Sequence, residues 1–149
     1  MIRFRSLCSD DFPTMLAWLQ HSHVKEWWND GDNTVEKLAT HYSMDTENTM
    51  RFIVELDGED AGYFQYYRFS SSHTGTDQFL ANEADLSRGI GTKCLLTFID
   101  MITDIESPNT ISVDPHPANK RSIRCYEKCG FIYQPSRSNS TTYYMAKSC

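Results

Sequence analysis

Apolar and polar positions alternate with period two over Ile2–Leu7, which predicts a first strand. The period then lengthens. Phe12, Met15, Leu16 and Leu19 fall at i, i+3, i+4 and i+7, so a helix runs to about Gln20, with Asp10 as its N-cap and Pro13 in its first turn. Val24–Trp28 reads as a loop or short turn, and Thr34 caps a second helix to about Tyr42. Met50–Leu56 and Ala61–Phe69 return to strand patterning across Asp57-Gly58, a hairpin signal. Ser70–Gly75 is a polar loop and Thr76–Asn82 the next strand. Gly91–Thr103 is helical, with Leu95, Phe98, Ile99 and Ile102 on one face. Thr110–Asp114 is a strand, Ala118–Lys128 a helix stopped by Gly130, and Phe131–Gln134 and Thr141–Ala146 close as strands. The order β-α-α-β-β-β-α-β-α-β-β predicts a mixed α/β fold with one central sheet.

Composition sharpens this only in places. The 149 residues suit a single domain spanning residues 1–149, able to hold a core without staples. A net charge of -6 argues against nucleic acid, whose affinity rests on Lys and Arg patches, and favours cationic ligands. No run approaches the roughly 18 apolar residues of a membrane span, and Met1–Arg5 lacks a signal peptide's apolar stretch. The five cysteines (8, 94, 125, 129 and 149) show no C-x-x-C spacing and fit reduced thiols in a cytoplasmic protein. Cys125 and Cys129 lie four apart on a predicted helix and could share a face. His21 and His23 have no acid or thiol at ligand spacing, so they read as a solvated helix end or pocket rim, and no metal is expected.

The candidate chemistry starts at Leu86-Ser87-Arg88-Gly89-Ile90-Gly91-Thr92, directly before a helix. A glycine turn opening a helix points successive N–H groups into one concavity at the positive end of the dipole, which suits a pyrophosphate. Further on, Asn119 is followed by Tyr126-Glu127-Lys128-Cys129-Gly130-Phe131. Together these segments resemble the GNAT superfamily of acetyl-CoA-dependent N-acetyltransferases. The resemblance implies a central mixed twisted sheet flanked by helices and splayed in the middle, with the pantetheine arm of acetyl-CoA in the split. It implies a phosphate cradle at Arg88, Gly89, Gly91 and Thr92, a pantetheine-pairing segment at Phe79, Leu80 and Ala81, and an amide near the cofactor at Asn119. Tyr126 would donate a proton to the leaving thiolate. Leu86 departs from the family, which carries Gln or Arg there. Each role has a structural alternative: Asn119 could cap its helix, Tyr126 could be core, and the strand segment could be both core and cofactor contact.

Several blocks narrow the likeness. They are Trp18-Leu19-x-x-Ser22-His23-x-x-Glu26-Trp27-Trp28, Gly62-Tyr63-x-Gln65, Asp77-Gln78-Phe79-Leu80-Ala81-Asn82, Asp114-Pro115-x-Pro117-x-Asn119 and Arg121-x-Ile123-Arg124-Cys125-Tyr126. Together they resemble aminoglycoside 6′-N-acetyltransferases from about Phe4 to Phe131. The resemblance implies Asp77 as the group that holds the attacking amine and helps to accept its proton. It implies Asp114 as the anchor of a second amine, and Glu26, Trp27 and Trp28 as an acidic and aromatic wall. Asp77 could instead cap a loop, Asp114 could serve the turn at Pro115, and one tryptophan is expected in the core. The relatives carry a longer acid- and tryptophan-rich insertion where this chain has only Ser70–Gly75. The expected partner is therefore a small-molecule amine, an aminoglycoside first, acting with a monomer or homodimer. Another small amine, hydroxylamine or polyamine, a protein amine, and a non-catalytic CoA- or drug-binding module are the competing readings.

Overall fold

The computed structural model describes residues 1–44, 47–86 and 88–149. Ser87, inside the glycine-turn segment, lies outside the described residues. The strands are β1 (Ile2–Ser6), β2 (Thr49–Leu56), β3 (Glu59–Arg68), β4 (His73–Leu80), β5 (Thr110–Val113), β6 (Ile132–Tyr133) and β7 (Met145–Ser148). The helices are α1 (Phe12–Leu19), α2 (Ser22–Lys25), α3 (Val35–Tyr42), α4 (Ile90–Glu106) and α5 (Lys120–Lys128). The strands form one seven-stranded sheet in the order β1-β2-β3-β4-β5-β7-β6. The sheet is mixed: β1/β2, β5/β7 and β6/β7 are antiparallel, and β4/β5 is parallel.

Local chemistry explains most of the boundaries. Thr34 accepts the Lys37 N–H at 3.2 Å and starts α3. Asp57 and Gly58 both take positive φ, 51° and 86°, as the tight turn between β2 and β3 requires. Three expectations shift. Asp11 rather than Asp10 is the acid in use at the first helix: its carboxylate accepts the Cys8 N–H at 2.9 Å and pairs with Arg5 at 2.8 Å. A 3-10 turn, Ser9–Asp11, therefore precedes α1. The polar stretch expected to be a loop to Gly75 becomes strand at His73, because His73, Thr74 and Gly75 pair with Thr110, Ile111 and Ser112. The last strand starts at Met145, not Thr141. The Asn139 side chain holds the Thr141 and Thr142 N–H groups at 2.8 and 3.0 Å in a turn, and Ser138 takes the Tyr144 N–H at 2.9 Å.

The chain divides into two compact units, with β3 and β4 contributing to both. The first comprises Met1–Gln65 and Gln78–Ala84, the second Tyr66–Asp77 and Asp85–Cys149. In the first, Phe12, Met15 and Leu19 of α1 pack with Val24, Leu38, Tyr42, Ile53 and Tyr63. Full burial of a side chain such as Met15 or Leu38 contributes about 2 kcal/mol each. In the second, the α4 face Leu95, Phe98, Ile99 and Ile102 is buried as the periodicity predicts, as are Ile111, Val113, Ile123, Phe131 and Met145.

Candidate active site

The glycine turn belongs to the second unit. Gly89 is the N-cap of α4 and sits at φ +78°, a conformation that glycine reaches at little cost. A Cβ there would meet nothing within 4 Å, so the space above the turn is open. The first intrahelical bond runs from the Lys93 N–H to the Gly89 carbonyl at 3.1 Å. The N–H groups of Ile90, Gly91 and Thr92 thus have no acceptor inside the helix, which is the condition for anion binding at a helix start. Arg88 is exposed beside them. A 17-residue helix stands behind the turn, so the full end-charge of about half a proton is available. These residues fit a pyrophosphate.

α5 carries two of the expected site residues. Asn119 is its N-cap, and the Asn119 Oδ1 accepts the Ser122 N–H at 3.3 Å. The Asn119 side-chain oxygen is thereby engaged, which leaves its NH2 group for other contacts. Tyr126 is 8% exposed. The helix end locks it: the Phe131 N–H returns to the Tyr126 carbonyl at 3.0 Å, the Gly130 N–H returns to the Glu127 carbonyl at 3.0 Å, and the Phe131 ring meets the Tyr126 ring edge-on at 5.7 Å. That pattern is a Schellman stop with its hydrophobic contact.

Asp77 lies half-buried on β4, and Asp114 immediately follows β5. The Asp114 carboxyl is raised above the usual carboxylate range by desolvation, although its surface stays within reach of solvent. A carboxylate raised in this way gains from a cation beside it. Tyr67, which the sequence reading passed over, ties these groups together. Burial pushes its phenol well above the ordinary range, and the negative charges of Asp77 and Asp114 push it further, followed by Tyr126 and Tyr144. Asp77, Asp114, Tyr126 and Tyr144 therefore all lie within electrostatic range of the Tyr67 phenol. Gly75 makes room for the Tyr67 ring: a Cβ at position 75 would lie 2.5 Å from it. Behind the ring, Phe69 meets Tyr67 edge-on at 5.1 Å and packs against His73 at 4.6 Å. The His73 Nε2 is 2.8 Å from the Ser112 hydroxyl and 3.2 Å from that of Tyr144. Burial, then Arg137, lowers the His73 pKa and keeps the ring neutral.

The remaining expected residues lie in the first unit. Glu26 is the C-cap of α2 and is exposed. The two tryptophans diverge. Trp27 is 41% exposed. Trp28 is half-buried, donates its indole N–H to the Tyr42 hydroxyl at 3.1 Å, and meets the Phe79 and Tyr63 rings edge-on at 5.2 and 5.8 Å. A recess of about 290 Å³ beside Trp28 is lined by Leu19, Lys25, Asp30 and Asp32 among others. The His41 Nδ1 lies 2.7 Å from the Asp32 carboxylate, and Asp30, Asp32 and His41 bring their ligand atoms within 4.8 Å of one another.

In the segment Phe79–Ala81, Phe79 contributes its ring to the aromatic cluster, and the Ala81 N–H donates to the Ala61 carbonyl of β3 at 2.9 Å. Backbone groups alternate along a strand, so Leu80 faces the opposite edge. β4 pairs with β5 only as far as Gly75–Ser112 and then continues to Leu80. His23 and His21 bind the two carbonyls at its end: the His23 Nε2 lies 2.9 Å from the Leu80 oxygen and the His21 Nδ1 lies 2.8 Å from the Ala81 oxygen. His21 stands exposed at the N-cap of α2, the helix end expected of it, and with His23 it also clamps that segment.

Comparison with known proteins agrees with this architecture. Residues 8–138 match the family described as Acetyltransferase (GNAT) domain. The chain is 31% identical over 150 residues to the aminoglycoside N(6')-acetyltransferase type 1 of Klebsiella pneumoniae, covering 89% of this chain and 75% of that protein. It is 44% identical over 60 residues to a kanamycin resistance protein of Rhizobium radiobacter, covering 40% of this chain and 56% of the relative. The crystal structure of aminoglycoside acetyltransferase AAC(6')-Ib in complex with coenzyme A superposes with a TM-score of 0.88 at 30% identity, covering 99% of this chain and 95% of that one. The complex of the same enzyme with coenzyme A and kanamycin gives 0.87 at 29% identity, again covering 99% and 95%. The chain belongs to the GNAT acetyltransferase family. Among the described residues, no helix is long and apolar enough to cross a membrane.

Proposed function

We propose that this protein is an acetyl-CoA-dependent aminoglycoside 6′-N-acetyltransferase, acting in the cytoplasm as a single domain by direct attack in a ternary complex. What supports the reading is membership of this family, together with the electrostatic influence of both Asp77 and Asp114 on the Tyr67 phenol. Two carboxylates that act on one phenol, one of them raised by desolvation, gain from a polycation beside them.

Acetyl-CoA, when bound, supplies the thioester carbon that the amine attacks. The backbone of Ile90, Gly91 and Thr92, with Arg88, holds its pyrophosphate. The edge near Leu80 aligns the pantetheine arm, with Phe79 and Ala81 fixing that segment and the Asn119 NH2 group adding a polar contact. Asp77 holds the acceptor's ammonium and takes its proton, directly or through water, as the lone pair turns to the carbonyl carbon. A general base of this kind contributes roughly 10²–10⁴ in rate. Asp114 binds a second ammonium, whose charge reverses the desolvation cost of its carboxylate. The Tyr67 phenol, held protonated, donates a hydrogen bond to orient a carboxylate or a sugar hydroxyl. Tyr126, locked by the helix stop, gives its proton to the departing thiolate. Glu26 and the ring faces of Trp27 and Trp28 are the acidic and aromatic contacts for sugar rings. No metal is needed for these steps.

A smaller amine or hydroxylamine is the second reading. It is favoured by the short β3–β4 connection, where Ser70–Ser72 offers no acid to a large acceptor and Phe69 is the one aromatic. The test is CoA-thiol release from acetyl-CoA with kanamycin, tobramycin, polyamines and hydroxylamines, followed by NMR identification of the acetylated nitrogen. Saturable turnover with 6′-acetylated product supports the proposal. Turnover confined to another amine rejects the aminoglycoside as substrate, and absence of any turnover rejects catalysis.

A further inference from the structure

Phe69 directly follows β3, and it is 59% exposed. Two neighbours nevertheless hold its ring. The Tyr67 ring meets it edge-on at 5.1 Å, and the His73 ring lies against it at 4.6 Å with 34° between the planes. The backbone beneath is tied as well. The Phe69 N–H donates to the His73 carbonyl at 2.9 Å, and the Asn109 and Thr110 N–H groups hold the Ser72 carbonyl at 2.8 and 3.1 Å. A ring braced in this way has little side-chain freedom left to lose when a ligand packs on its open side.

The acids stand on the same side of the sheet. A Cβ on Gly75 would lie 2.9 Å from the Phe69 ring and 2.5 Å from the Tyr67 ring, so both rings cover that side of β4. Side chains two apart on a strand share a face, so Asp77, also on β4, stands on that side about 7 Å further along. The His73 ring, on the same face as Gly75, reaches the Ser112 hydroxyl of β5 at 2.8 Å. Asp114 comes two residues after Ser112 and continues the alternation to the second carboxylate. A single exposed apolar side chain is ordinary. This one is rigid and shares a face with two carboxylates, a combination that matches a ligand with cationic and saturated-ring parts. Ammonium groups meet the carboxylates, and a ring's C–H face or a further cation meets the aromatic face.

We propose that Phe69 is a specificity-determining acceptor contact, whose exposed ring packs on a saturated ring of a polyammonium acceptor with amines held at Asp77 and Asp114. The inference rests on the reading of that face as the acceptor side, and it deepens the aminoglycoside proposal. An open-chain amine meets the carboxylates and leaves Phe69 bare, whereas a ring-bearing amine covers it. The contact lies along the strand from the acid that takes the proton, so it contributes to acceptor affinity and not to the chemical step.

The test compares the full chain with Phe69→Ala, Phe69→Leu and Phe69→Tyr, by steady-state turnover of kanamycin and by calorimetric titration with kanamycin in the presence of CoA. In Phe69→Ala the kanamycin KM and Kd rise about tenfold, as loss of one aromatic contact predicts. Its kcat stays within about twofold of the parent, the pattern of lost uniform binding, and its acetyl-CoA affinity is unchanged. Phe69→Leu keeps apolar bulk against Tyr67 and His73 and raises both constants about threefold; it supplies the readout if Phe69→Ala does not fold. Phe69→Tyr keeps the parental values. A fall in kcat with KM unchanged would show a ring that only braces Tyr67, and would overturn the proposal. Unchanged KM and Kd in both Phe69→Ala and Phe69→Leu would overturn it too, while kanamycin turnover by the parent leaves the aminoglycoside reading standing. A parent that binds kanamycin without acetylating it rejects that reading, and the Kd ratio still decides the role of Phe69. A parent that neither binds nor acetylates kanamycin overturns both.

Discussion

Gly75 is a position where one methyl group reaches from packing to chemistry. It faces the Tyr67 ring across the β3–β4 hairpin, and a Cβ would stand 2.5 and 2.6 Å from two Tyr67 carbons and 2.9 Å from Phe69. Carbon atoms settle at about 3.5–4.0 Å, so in Gly75→Ala the Tyr67 ring has to retreat by about 1 Å. Phe69 lies against that ring and against His73, which is itself bonded to Ser112 and Tyr144. The retreat is resisted, and overpacking of this kind costs about 1–3 kcal/mol. The Tyr67 hydroxyl moves with the ring, and its relation to Asp77 and Asp114, whose charges act on it, changes. A displacement on this scale in an active site lowers kcat/KM by about 10²-fold. Urea unfolding and CoA-thiol release with kanamycin measure the two effects. A companion variant, Gly75→Ala with Tyr67→Leu, removes the two closest contacts, leaves only Phe69 to give way, and recovers part of the lost stability while leaving activity low. Unchanged stability and unchanged kcat/KM in Gly75→Ala would refute both the packing and the role given to Tyr67.

Two further outcomes follow from the electrostatics. Glu106 takes two bonds from Arg68, at 2.7 and 2.6 Å, and one from the Tyr66 hydroxyl at 2.8 Å, and Arg68 followed by Tyr66 holds its carboxyl below the ordinary value of 4.5. An acid with a depressed folded pKa stabilises above its unfolded pKa and loses that contribution as pH falls through the folded value. Glu106→Gln should therefore cost about 1–2 kcal/mol at neutral pH, and thermal melts should show the gap to the parent closing below pH 4.5. Asp114→Asn removes a carboxylate that desolvation has raised, so its melting temperature at neutral pH should equal or slightly exceed that of the parent. Its acceptor KM should rise about tenfold, as loss of one ammonium contact predicts, while an unchanged KM would remove Asp114 from the acceptor site.

The fold was legible wherever a local rule operates. Thr34 stands three residues before the N–H it caps, Asp57-Gly58 supplies two consecutive positive φ angles, and the α4 stripe repeats at helical spacing. What escaped depends on contacts distant in sequence. The His23 bond to Leu80 and the His21 bond to Ala81 span 57 and 60 residues and leave no periodic trace, so the helix end was legible but its two clamps were not. Ser70–Gly75 is polar throughout and reads as loop, but pairing with β5 from His73 onward overrides composition. Thr141–Tyr144 has strand-forming residues, and the Asn139 and Ser138 side chains capture its N–H groups before the sheet does. In the site, the motif residues stood out because they recur in fixed blocks. Tyr67 did not, although it continues the alternation of Tyr63 and Gln65 on β3. Its significance depends on Gly75 leaving space for the ring, a relation across the hairpin.

The most direct measurement pairs steady-state turnover with acetyl-CoA calorimetry for the parent and Asp77→Asn. The account predicts that the parent acetylates kanamycin at the 6′-amine, that the variant loses about 10²–10⁴ in kcat/KM, and that both bind acetyl-CoA equally. An Asp77→Asn protein that turns over as fast as the parent, or a parent that binds acetyl-CoA but releases no thiol with kanamycin, would contradict it.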